Sequence, residues 1–493
     1  MKTLSSLLGN INYCEIVGNP DIVIGQIEFD SRKVCPDGRR GVVPMYVAQR
    51  GTQTDGHLYI PQAVAAGAGA VICEELPAEK SDTVCYVRVE DSSVALGQLA
   101  DAYYDHPSRK LKLVGITGTN GKTTTVTLLH RLFMALGHKA GLLSTIVNRI
   151  GDEEVAATHT TPDALELNAL LSRMVEAGCE YCFMEVSSHS VCQHRIEGLT
   201  FAGGIFSNIT HDHLDFHKTF ANYIQAKKGF FDALPATAFA LTNIDDKNGR
   251  VMVQNTKATV KTYSLQSLAD FKTRLIENSF EGLHLQINGV ESFFRLSGRF
   301  NAYNLTAIYA AAVLLGMPSE EVLVKMSALG TADGRFEVIR NGQGGVAIVD
   351  YAHTPDALKN VLSTIRNITR KGEEVMTVVG CGGNRDKTKR PEMAAIACEY
   401  SDRVILTSDN PRFEEPAQIL RDMEPGIPAV FRPNTLIIEN RREAIRTACM
   451  MMRDHGVILI AGKGHEKYQD VQGTKHHFDD MEEVRNDWGI TNH

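Results

Sequence analysis

A glycine-rich segment carries the clearest chemistry in this sequence. The segment GITGTNGKTTT starts at Gly115, directly after an apolar run, and leads into a helical pattern. Glycines let backbone N–H groups face a phosphate, the Lys122 ammonium would neutralise its β- and γ-oxygens, and the Thr123 hydroxyl would lie on Mg²⁺. Five residues rather than four separate Gly115 from Gly121, which departs from the common phosphate-binding loop. The order of strand, glycines, lysine and threonine still predicts an ATP site, formed by Gly118, Thr119, Asn120, Gly121, Lys122, Thr123 and Thr124.

Two polar clusters follow other apolar runs. Glu185 ends the run CFMEV, and a carboxylate at a strand end beside a phosphate loop is typical of a second Mg²⁺ ligand. The segment FSNITHDHLDFH places Asn208, His213 and Asp215 after another run. Either cluster alone would be interpreted as a polar loop, but two at the strand ends of one sheet favour metal or phosphate contact. The HDH triplet is not a zinc signature, because no third ligand follows at a known spacing.

The elements that must hold these residues fall into three blocks. The first contains short β-type runs and a helical stretch at residues 92–104, and it closes at the turn-like segment DHPS. In the second and third blocks, apolar strands alternate with helical patterns, which is typical of parallel sheets flanked by helices. The sequence therefore predicts an α/β protein of three domains: a smaller α/β domain at residues 1–107, a central ATP-binding domain with a mostly parallel sheet at 108–334, and a Rossmann-like domain at 335–493.

Composition excludes several classes of protein. The chain has 493 residues, 43% hydrophobic and 22% charged, which argues against a disordered or collagen-like protein. Its net charge of −8 makes a general nucleic-acid binder a poor candidate. The N-terminal segment is not a convincing signal peptide, and no apolar run is long enough to span a membrane. Ten cysteines form no disulfide framework, and the CxxC pair Cys179 and Cys182 lies partly in an apolar run. We therefore expect a reduced, cytoplasmic protein without membrane insertion.

Several segments recur here in the order found in one family. They are GITGTNGKTTT, MEVSSHS, NITHDHLDFH, GRFNAYNLTA, DGRFEVI, VDYAHTPDAL, GCGGNRDKTKRP, SDNPRFEEP and AGKGHEKYQ. The chain thereby resembles the Mur ligases over almost its whole length. Within that family, it looks like the ligases that add the third amino acid to UDP-N-acetylmuramoyl-L-alanyl-D-glutamate. The resemblance implies an N-terminal UDP-binding domain, a central ATPase and a C-terminal domain that brings the incoming amino acid.

The resemblance also implies a mechanism and the residues that perform it. ATP would phosphorylate the γ-carboxylate of D-glutamate, and the amine of the amino acid would attack the acyl phosphate. Lys122, Glu185 and His213 match catalytic positions, and Lys227 matches a lysine that carries a carbamate, although spacing alone leaves Lys228 open. Thr123, Glu185, His213 and carbamylated Lys227 would hold Mg²⁺. Asn301, Arg335 and Asp350 match further ATP-binding positions, so ATP and Mg²⁺ are the implied cofactors.

Substrate positions are carried over in the same way. UDP-N-acetylmuramoyl-dipeptide would be bound by Ser31, Thr52, Gln53, Thr54, Thr160, Thr161, Ser187, Gln193 and Arg195. The family often has His at the position of Thr52 and Asn at that of His159. The incoming amino acid would be bound by Arg385, Asp409, Asn410, Pro411, Arg412, Gly462 and Glu466. Asn384 stands where the family commonly has Asp.

The segment DNPR predicts which amino acid is added. meso-Diaminopimelate differs from L-lysine by a second carboxylate, which the fork of Arg412 can bind, whereas the side-chain ammonium of lysine would be repelled. Glu466 can pair with the distal ammonium. A close analogue such as lanthionine would satisfy the same groups and stays open.

Two other functions are compatible with part of the sequence. A folylpolyglutamate synthase shares the ATP core of the superfamily, but it is not expected to carry GCGGNRD together with DNPR. A nucleotide-gated switch fits the phosphate loop and leaves the acid- and amine-binding residues of the third block without a role. We expect a monomeric ligase that uses UDP-N-acetylmuramoyl-dipeptide and meso-diaminopimelate and binds no nucleic acid.

Overall fold

The structure, a computed structural model, describes residues 2–36, 38–39, 41–51, 54–157, 159–210 and 214–490. These residues form three large sheets, which follow one another along the chain, and a separate two-stranded hairpin. Helices pack against each large sheet, so the expected three-domain α/β architecture is confirmed.

The N-terminal sheet has six strands in the order β1-β3-β4-β5-β6-β2. Strands β3 to β6 pair in parallel, while β1 and β2 pair antiparallel at the two edges. The elements are β1 (Lys2–Thr3), α1 (Leu4–Leu8), β2 (Glu15–Val17), β3 (Val23–Glu28), β4 (Val42–Val47), α2 (Ile60–Ala65), β5 (Ala70–Cys73), β6 (Cys85–Arg88) and α3 (Ser92–Tyr103). Short 3₁₀ turns follow β3 and β4, at Ser31–Lys33 and Gly56–Tyr59.

The central sheet has eleven strands, in the order β10-β9-β8-β11-β7-β12-β13-β14-β15-β16-β17. Its middle is parallel from β8 to β15, and antiparallel hairpins extend it at both ends. The strands are β7 (Lys112–Thr117), β8 (Ala140–Leu143), β9 (Val147–Ile150), β10 (Glu153–Ala156), β11 (Tyr181–Glu185), β12 (Gly203–Phe206), β13 (Phe239–Asn243), β14 (Thr259–Ser264), β15 (Phe271–Asn278), β16 (Leu283–Ile287) and β17 (Val290–Phe294). The helices are α4 (Lys122–Ala135), α5 (Ala164–Glu176), α6 (Ser188–Cys192), α7 (Leu214–His217), α8 (Phe220–Asp232), α9 (Gly249–Met252), α10 (Arg299–Leu314) and α11 (Ser319–Ser327).

One glycine in β7 sets the depth at which α8 packs. A Cβ at Gly115 would lie 2.6 Å from Cζ of Phe230, which is closer than real Cβ contacts allow. Because residue 115 has no side chain, the aromatic ring of α8 fits directly on the strand that leads into the phosphate loop. This packing brings the preceding turn of α8, which contains Lys227, next to that loop.

The C-terminal sheet has six strands in the order β18-β19-β23-β20-β21-β22. All pairs are parallel except β18 with β19, so β19, β20, β21 and β23 end at one edge. The elements are β18 (Glu337–Arg340), β19 (Val346–Asp350), α12 (Pro355–Ile368), β20 (Val375–Val379), α13 (Lys389–Tyr400), β21 (Arg403–Leu406), α14 (Pro416–Met423), β22 (Thr435–Ile437), α15 (Arg441–Met451), β23 (Val457–Ala461), the hairpin β24 (Tyr468–Val471) with β25 (Thr474–His477), and α16 (Asp480–Asp487).

Two elements differ from the pattern read in the sequence. The apolar run AGLLSTIV is not one strand, because the Ser144 hydroxyl bonds to the Val147 carbonyl and turns the chain from β8 into antiparallel β9. The run GVILIAG forms β23 but is followed by the β24–β25 hairpin before the next helix. The divisions at residues 107 and 334 stay predictions. A search of the described residues finds no helix with the length and hydropathy needed to cross a membrane.

Candidate active site

The phosphate loop joins β7 to α4, and two of its glycines have backbone angles that other residues rarely adopt. Gly118 has φ +152° and Gly121 has φ +88°. A Cβ at Gly118 would lie 2.0 Å from the Ser207 hydroxyl, and one at Gly121 would lie 2.5 Å from an oxygen of Asn304. Both positions therefore require glycine, and the first N–H groups of α4 face the space beside the loop.

Residues after β12 hold the loop from the other side. The N–H groups of Thr119 and Asn120 donate to the backbone and side-chain oxygens of Asn208 at 2.8 and 3.0 Å, and the Ser207 hydroxyl donates to the Asn120 carbonyl at 2.7 Å. The Lys122 ammonium donates to two loop carbonyls at 2.9 Å. These hydrogen bonds fix the conformation of the loop, and the Lys122 ammonium lies beside the loop carbonyls of Gly118 and Thr119.

Glu185 lies at the end of β11 and is only 1% exposed. Its carboxylate accepts hydrogen bonds from the N–H and hydroxyl of Thr145 at 2.9 and 3.1 Å, and its carbonyl accepts from the Thr161 hydroxyl at 2.8 Å. The Thr145 hydroxyl also lies 3.1 Å from that of Thr160, and the Ser187 N–H donates to Thr161. Glu185, the proposed metal ligand, therefore lies in one hydrogen-bonded cluster with the proposed substrate residues Thr160, Thr161 and Ser187. Thr145 also belongs to this cluster, although the sequence did not predict it.

Arg195 extends this cluster toward the substrate side. Its guanidinium donates to the Thr161 carbonyl at 2.7 Å and to the Gln193 side chain at 2.9 Å. Two of the five N–H groups are thereby fixed, which orients the remaining edge of the fork. Gln193 and Arg195, matched only by resemblance, are thus neighbours in the fold.

The adjacent lysines of α8 have different surroundings. The Lys227 ammonium is buried, donates to the Gly118 carbonyl at 2.9 Å and lies 4.7 Å from the centre of the Tyr223 ring. Lys228 instead pairs with Asp232, one turn later, at 2.6 and 2.7 Å. Only Lys227 of the two contacts the phosphate loop, which favours it for the role that spacing alone left open.

Helix α10 reaches the loop through paired asparagines. Asn301 is 2% exposed and accepts a hydrogen bond from Asn304 at 3.0 Å. Asn304 in turn lies against Gly121, so Asn301, which was expected to bind ATP, is linked to the loop through a side chain that the sequence did not single out.

The C-terminal domain contributes residues to the same place. The Arg335 guanidinium donates to the Thr123 hydroxyl at 3.2 Å and lies 4.8 Å from the centre of the Tyr351 ring. Its Nε atom is buried, with no hydrogen-bond partner in the part of the chain that the structure describes. Asp350 accepts from the Phe336 N–H at 2.7 Å, and burial raises the pKa of its carboxyl to about 6 against the attraction of Arg335.

Asp356, at the start of α12, closes the contact between the two domains. Its carboxylate accepts from the Asn120 side chain and from the Thr210 hydroxyl, both at 2.8 Å. A carboxylate and an arginine from one domain therefore touch the phosphate loop of the other.

These observations fit a bound nucleoside triphosphate with its metal. The glycine cradle, Lys122 and the unpartnered buried nitrogen of Arg335 suit an anionic polyphosphate. Thr123 and Glu185 offer the oxygen atoms that Mg²⁺ prefers. Across residues 2–210 and 214–490, with their few gaps, no three His, Cys, Asp or Glu side chains cluster as ready-made metal ligands. His213 lies outside the described residues.

The loops that follow β20, β21 and β23 form a second candidate pocket. The Asp409 carboxylate lies against Gly462, where a Cβ would be only 2.4 Å away, and the Asn410 amide donates to Glu466 at 2.7 Å. Arg412 donates to the Gly383 carbonyl at 2.8 Å, and its backbone pairs with the β24–β25 hairpin. Pro411 is buried within this loop, whereas Arg385 is exposed beside Gly382. Two arginines and two carboxylates thus lie on neighbouring loops at this edge of the sheet.

Asn384 lies in a tight turn beside Glu414. This residue has φ +52°, which asparagine tolerates, and its side-chain oxygen accepts from the Phe413 N–H at 3.0 Å. Its own N–H donates to Glu414, whose pKa is lowered to about 2 by Arg390. An amide at 384 avoids placing a second carboxylate beside Glu414.

The structure describes two of the four N-terminal residues that were expected to bind UDP-N-acetylmuramoyl-dipeptide. Ser31 is buried after β3 and its hydroxyl donates to Gln62 at 3.1 Å, while Thr54 is exposed after β4. Thr52 and Gln53 lie outside the described residues.

Known protein families match all three parts of the chain. The models described as "Mur ligase family, catalytic domain", "Mur ligase middle domain" and "Mur ligase, glutamate ligase domain" match residues 24–104, 116–312 and 334–464. The chain is 55% identical over 488 residues to a "UDP-N-acetylmuramoyl-L-alanyl-D-glutamate--2,6-diaminopimelate ligase" of Bacteroides fragilis, covering 99% of each. The chain belongs to the Mur ligase family. The expected family resemblance is therefore confirmed, and this Mur ligase is an enzyme of the ligase class.

More distant relatives agree with that assignment. A ligase of the same name, numbered 1, from Clostridium acetobutylicum is 39% identical over 98% of each chain. A solved structure of such a ligase matches with a TM-score of 0.70 at 31% identity over 99% of each chain. A folylpolyglutamate synthase of Thermotoga maritima has the same fold at 13% identity and a TM-score of 0.58, but it matches only 75% of this Mur ligase.

Proposed function

We propose that this Mur ligase joins meso-2,6-diaminopimelate to UDP-N-acetylmuramoyl-L-alanyl-D-glutamate, with ATP converted to ADP and phosphate. The observation that carries the proposal is that the loops after β21 and β23 meet through the Asn410–Glu466 hydrogen bond, which brings Arg412 and Glu466, of opposite charge, to one edge of the C-terminal sheet. A zwitterionic end of the incoming amino acid has one ammonium and one carboxylate, and the two residues match them. The printed names of the relatives at 55% and 39% identity point to the same amino acid.

The reaction proceeds through two transfers. An oxygen of the D-glutamyl γ-carboxylate attacks the γ-phosphorus of ATP, ADP leaves, and an acyl phosphate forms. The amine nitrogen of diaminopimelate then attacks the acyl carbon, loses a proton, and phosphate leaves from the tetrahedral intermediate. Little covalent chemistry falls to the protein, so positioning and charge neutralisation by Lys122, Arg335 and the first turn of α4 supply the catalysis.

Mg²⁺ would offset negative charge on the phosphates, and Thr123, Glu185, His213 and Lys227 would hold it. The last assignment requires carbamylation: the Lys227 ammonium loses one proton, and the neutral amine then adds CO₂ and releases a second proton, which leaves an anionic carbamate oxygen as the ligand. Its burial and its position at Gly118 favour this role.

The muramoyl-dipeptide is assigned to the cluster around Glu185 and Arg195. Thr160, Thr161, Ser187, Gln193 and Arg195 line it, and Ser31, Thr52, Gln53 and Thr54 are assigned to the uridine end. With this assignment the D-glutamate would lie near the γ-phosphate. We further propose domain divisions at residues 107 and 334, a monomeric enzyme and a place in cytoplasmic peptidoglycan precursor synthesis.

Phosphate release tests the proposal. The purified chain is incubated with ATP, Mg²⁺ and UDP-N-acetylmuramoyl-dipeptide, and meso-diaminopimelate, lanthionine, L-lysine and L-glutamate are added separately. The proposal predicts stimulation by meso-diaminopimelate. Stimulation by L-lysine alone would refute the specificity, and stimulation by L-glutamate alone would favour a folylpolyglutamate-like reaction. The rate with lanthionine measures how strictly the pocket selects the atoms that link the two amino-acid ends of diaminopimelate.

A further inference from the structure

The segment AGKGHE contains a lysine for which the proposed reaction has no role. Lys463 follows β23, its side chain has 0% exposure, and it lies between the two loops that form the amino-acid pocket. Its ammonium donates to the Asn410 side-chain oxygen at 3.1 Å and to the Tyr468 carbonyl, and it lies 3.5 Å from a carboxylate oxygen of Glu466. A lysine side chain is rarely fully buried unless its ammonium is paired with an acidic group or hydrogen-bonded.

These contacts fix the orientation of Asn410. The side-chain oxygen of Asn410 accepts from Lys463 and from the Asp470 N–H at 3.1 and 2.9 Å, so the amide nitrogen must point the other way. There it donates to Glu466 at 2.7 Å. Turned around, the amide would set its NH₂ against two donors and its oxygen against a carboxylate. Lys463 and the Asp470 N–H together fix the orientation in which Asn410 donates to Glu466, and of the two only Lys463 also brings a charge to that carboxylate.

Lys463 also balances charge around Glu466. Burial and the Asp409 carboxylate, which extends from the loop after β21, raise the pKa of Glu466, whereas Lys463 and the Asn410 hydrogen bond lower it. Among the described residues, Tyr351 after β19, Tyr468 in β24 and Arg441 in α15 also interact electrostatically with this carboxylate.

A different pair holds the scaffold of the two loops. The fully buried guanidinium of Arg441 bonds to Asp480 at 2.7 and 2.8 Å, to the Ala461 carbonyl at 3.1 Å and to the Ser408 carbonyl at 3.4 Å. Arg441 thus ties the ends of β21 and β23 together. Lys463, by contrast, donates directly to the Asn410 side chain and lies 3.5 Å from the Glu466 carboxylate.

We propose that Lys463 is a positioning residue for amino-acid selection, which orients Asn410 and holds Glu466 as an ionised partner for an ammonium of the incoming diamino acid. The inference rests on the proposed function, since it assigns Glu466 to that substrate. Lys463 touches no substrate itself and acts through its two neighbours.

Steady-state kinetics of Lys463→Met and Lys463→Gln test the proposal, with Lys467→Met as the matched control. Lys467 lies four residues later, and its side chain is 72% exposed. For both Lys463 variants we expect the KM for meso-diaminopimelate to rise by roughly 10- to 100-fold, because a buried charged hydrogen bond is lost. The KM values for ATP and for UDP-N-acetylmuramoyl-dipeptide should stay within about twofold, as should all three in the control.

The pH profile separates positioning from general support. Without the cation the pKa of Glu466 rises further, so the acid limb of kcat/KM for meso-diaminopimelate should move to higher pH in Lys463→Met. An unchanged KM and an unmoved limb would overturn the inference while leaving the proposed function standing. A variant that fails to fold, or loses affinity for all three substrates alike, would also overturn it, because Lys463 would then be general scaffold. If meso-diaminopimelate did not stimulate the wild-type enzyme, the proposed function would be refuted, and the inference about Lys463 would be refuted with it.

Discussion

Replacement of Asp350 by asparagine is expected to stabilise the C-terminal domain at neutral pH. The Asp350 side chain is 7% exposed at the end of β19, and its carboxylate accepts from the Phe336 N–H at 2.7 Å. Burial outweighs this hydrogen bond and the charge of Arg335, and it raises the pKa of the carboxyl from 3.8 to about 6. Asparagine has the same shape, keeps an acceptor for Phe336 and is neutral at every pH.

The size and sign of the change in the free energy of unfolding follow from the difference in the pKa of Asp350 between the folded and unfolded states. A rise from 3.8 to about 6 corresponds to about 3 kcal/mol that the charged form costs in the folded state. The neutral carboxyl contributes this stability fully below about pH 4, and the contribution is lost as pH rises through about 6. The variant should therefore match the wild type near pH 4 and exceed it by up to about 3 kcal/mol above pH 7.

Urea unfolding followed by tryptophan fluorescence measures this difference. The chain has a single tryptophan, Trp488, which packs against the core beside β19 and so reports on the C-terminal domain. The matched control is Asp454→Asn, the same substitution at an exposed site of that domain. The reasoning is refuted if Asp350→Asn is less stable than wild type near pH 7.5, or if their difference does not change with pH.

Three further outcomes are expected. Arg412→Lys should raise the KM for meso-diaminopimelate by roughly 10- to 100-fold and leave that for ATP nearly unchanged, because the charge remains and the fork is lost; equal changes in both would contradict the assignment. Gly118→Ala should abolish ATP-dependent activity in a folded protein, since the new Cβ would lie 2.0 Å from the Ser207 hydroxyl; retained turnover would show that the loop does not bind phosphate. Lys227→Ala should lose activity that short carboxylates such as formate partly restore, which a structural lysine beside Tyr223 would not show.

The parts of the site that lie close together in sequence could be predicted. The phosphate loop is one continuous segment, and its glycines predict the positive φ angles that the structure has at Gly118 and Gly121. Strands β7, β11, β12, β19, β20, β21 and β23 were predictable for the same reason, because each is a short apolar run, whereas the run AGLLSTIV was wrongly interpreted as a single strand. DNPR and AGKGHE were found as separate motifs, but their contact through Asn410 and Glu466 needs the sheet order that brings β21 and β23 to one edge.

The residues that sequence reasoning missed have partners far along the chain. Asp356 lies 236 residues from Asn120, and Thr145 lies 40 residues from Glu185. Their only local signal was a position just after a strand or at a helix start. Lys463 was hidden differently, because a lysine in a glycine-rich segment is ordinarily solvated, and only the packing of two loops shows that it is buried.

The central claim concerns which bond this enzyme makes, and the mass of its product tests it most directly. The enzyme is incubated with ATP, Mg²⁺, UDP-N-acetylmuramoyl-L-alanyl-D-glutamate and equal concentrations of meso-diaminopimelate and L-lysine, and the nucleotide products are analysed by mass spectrometry. The account predicts a single product, heavier than the substrate by one diaminopimelate residue, formed together with ADP. A product that carries lysine, or ADP formed without any amide product, would contradict it.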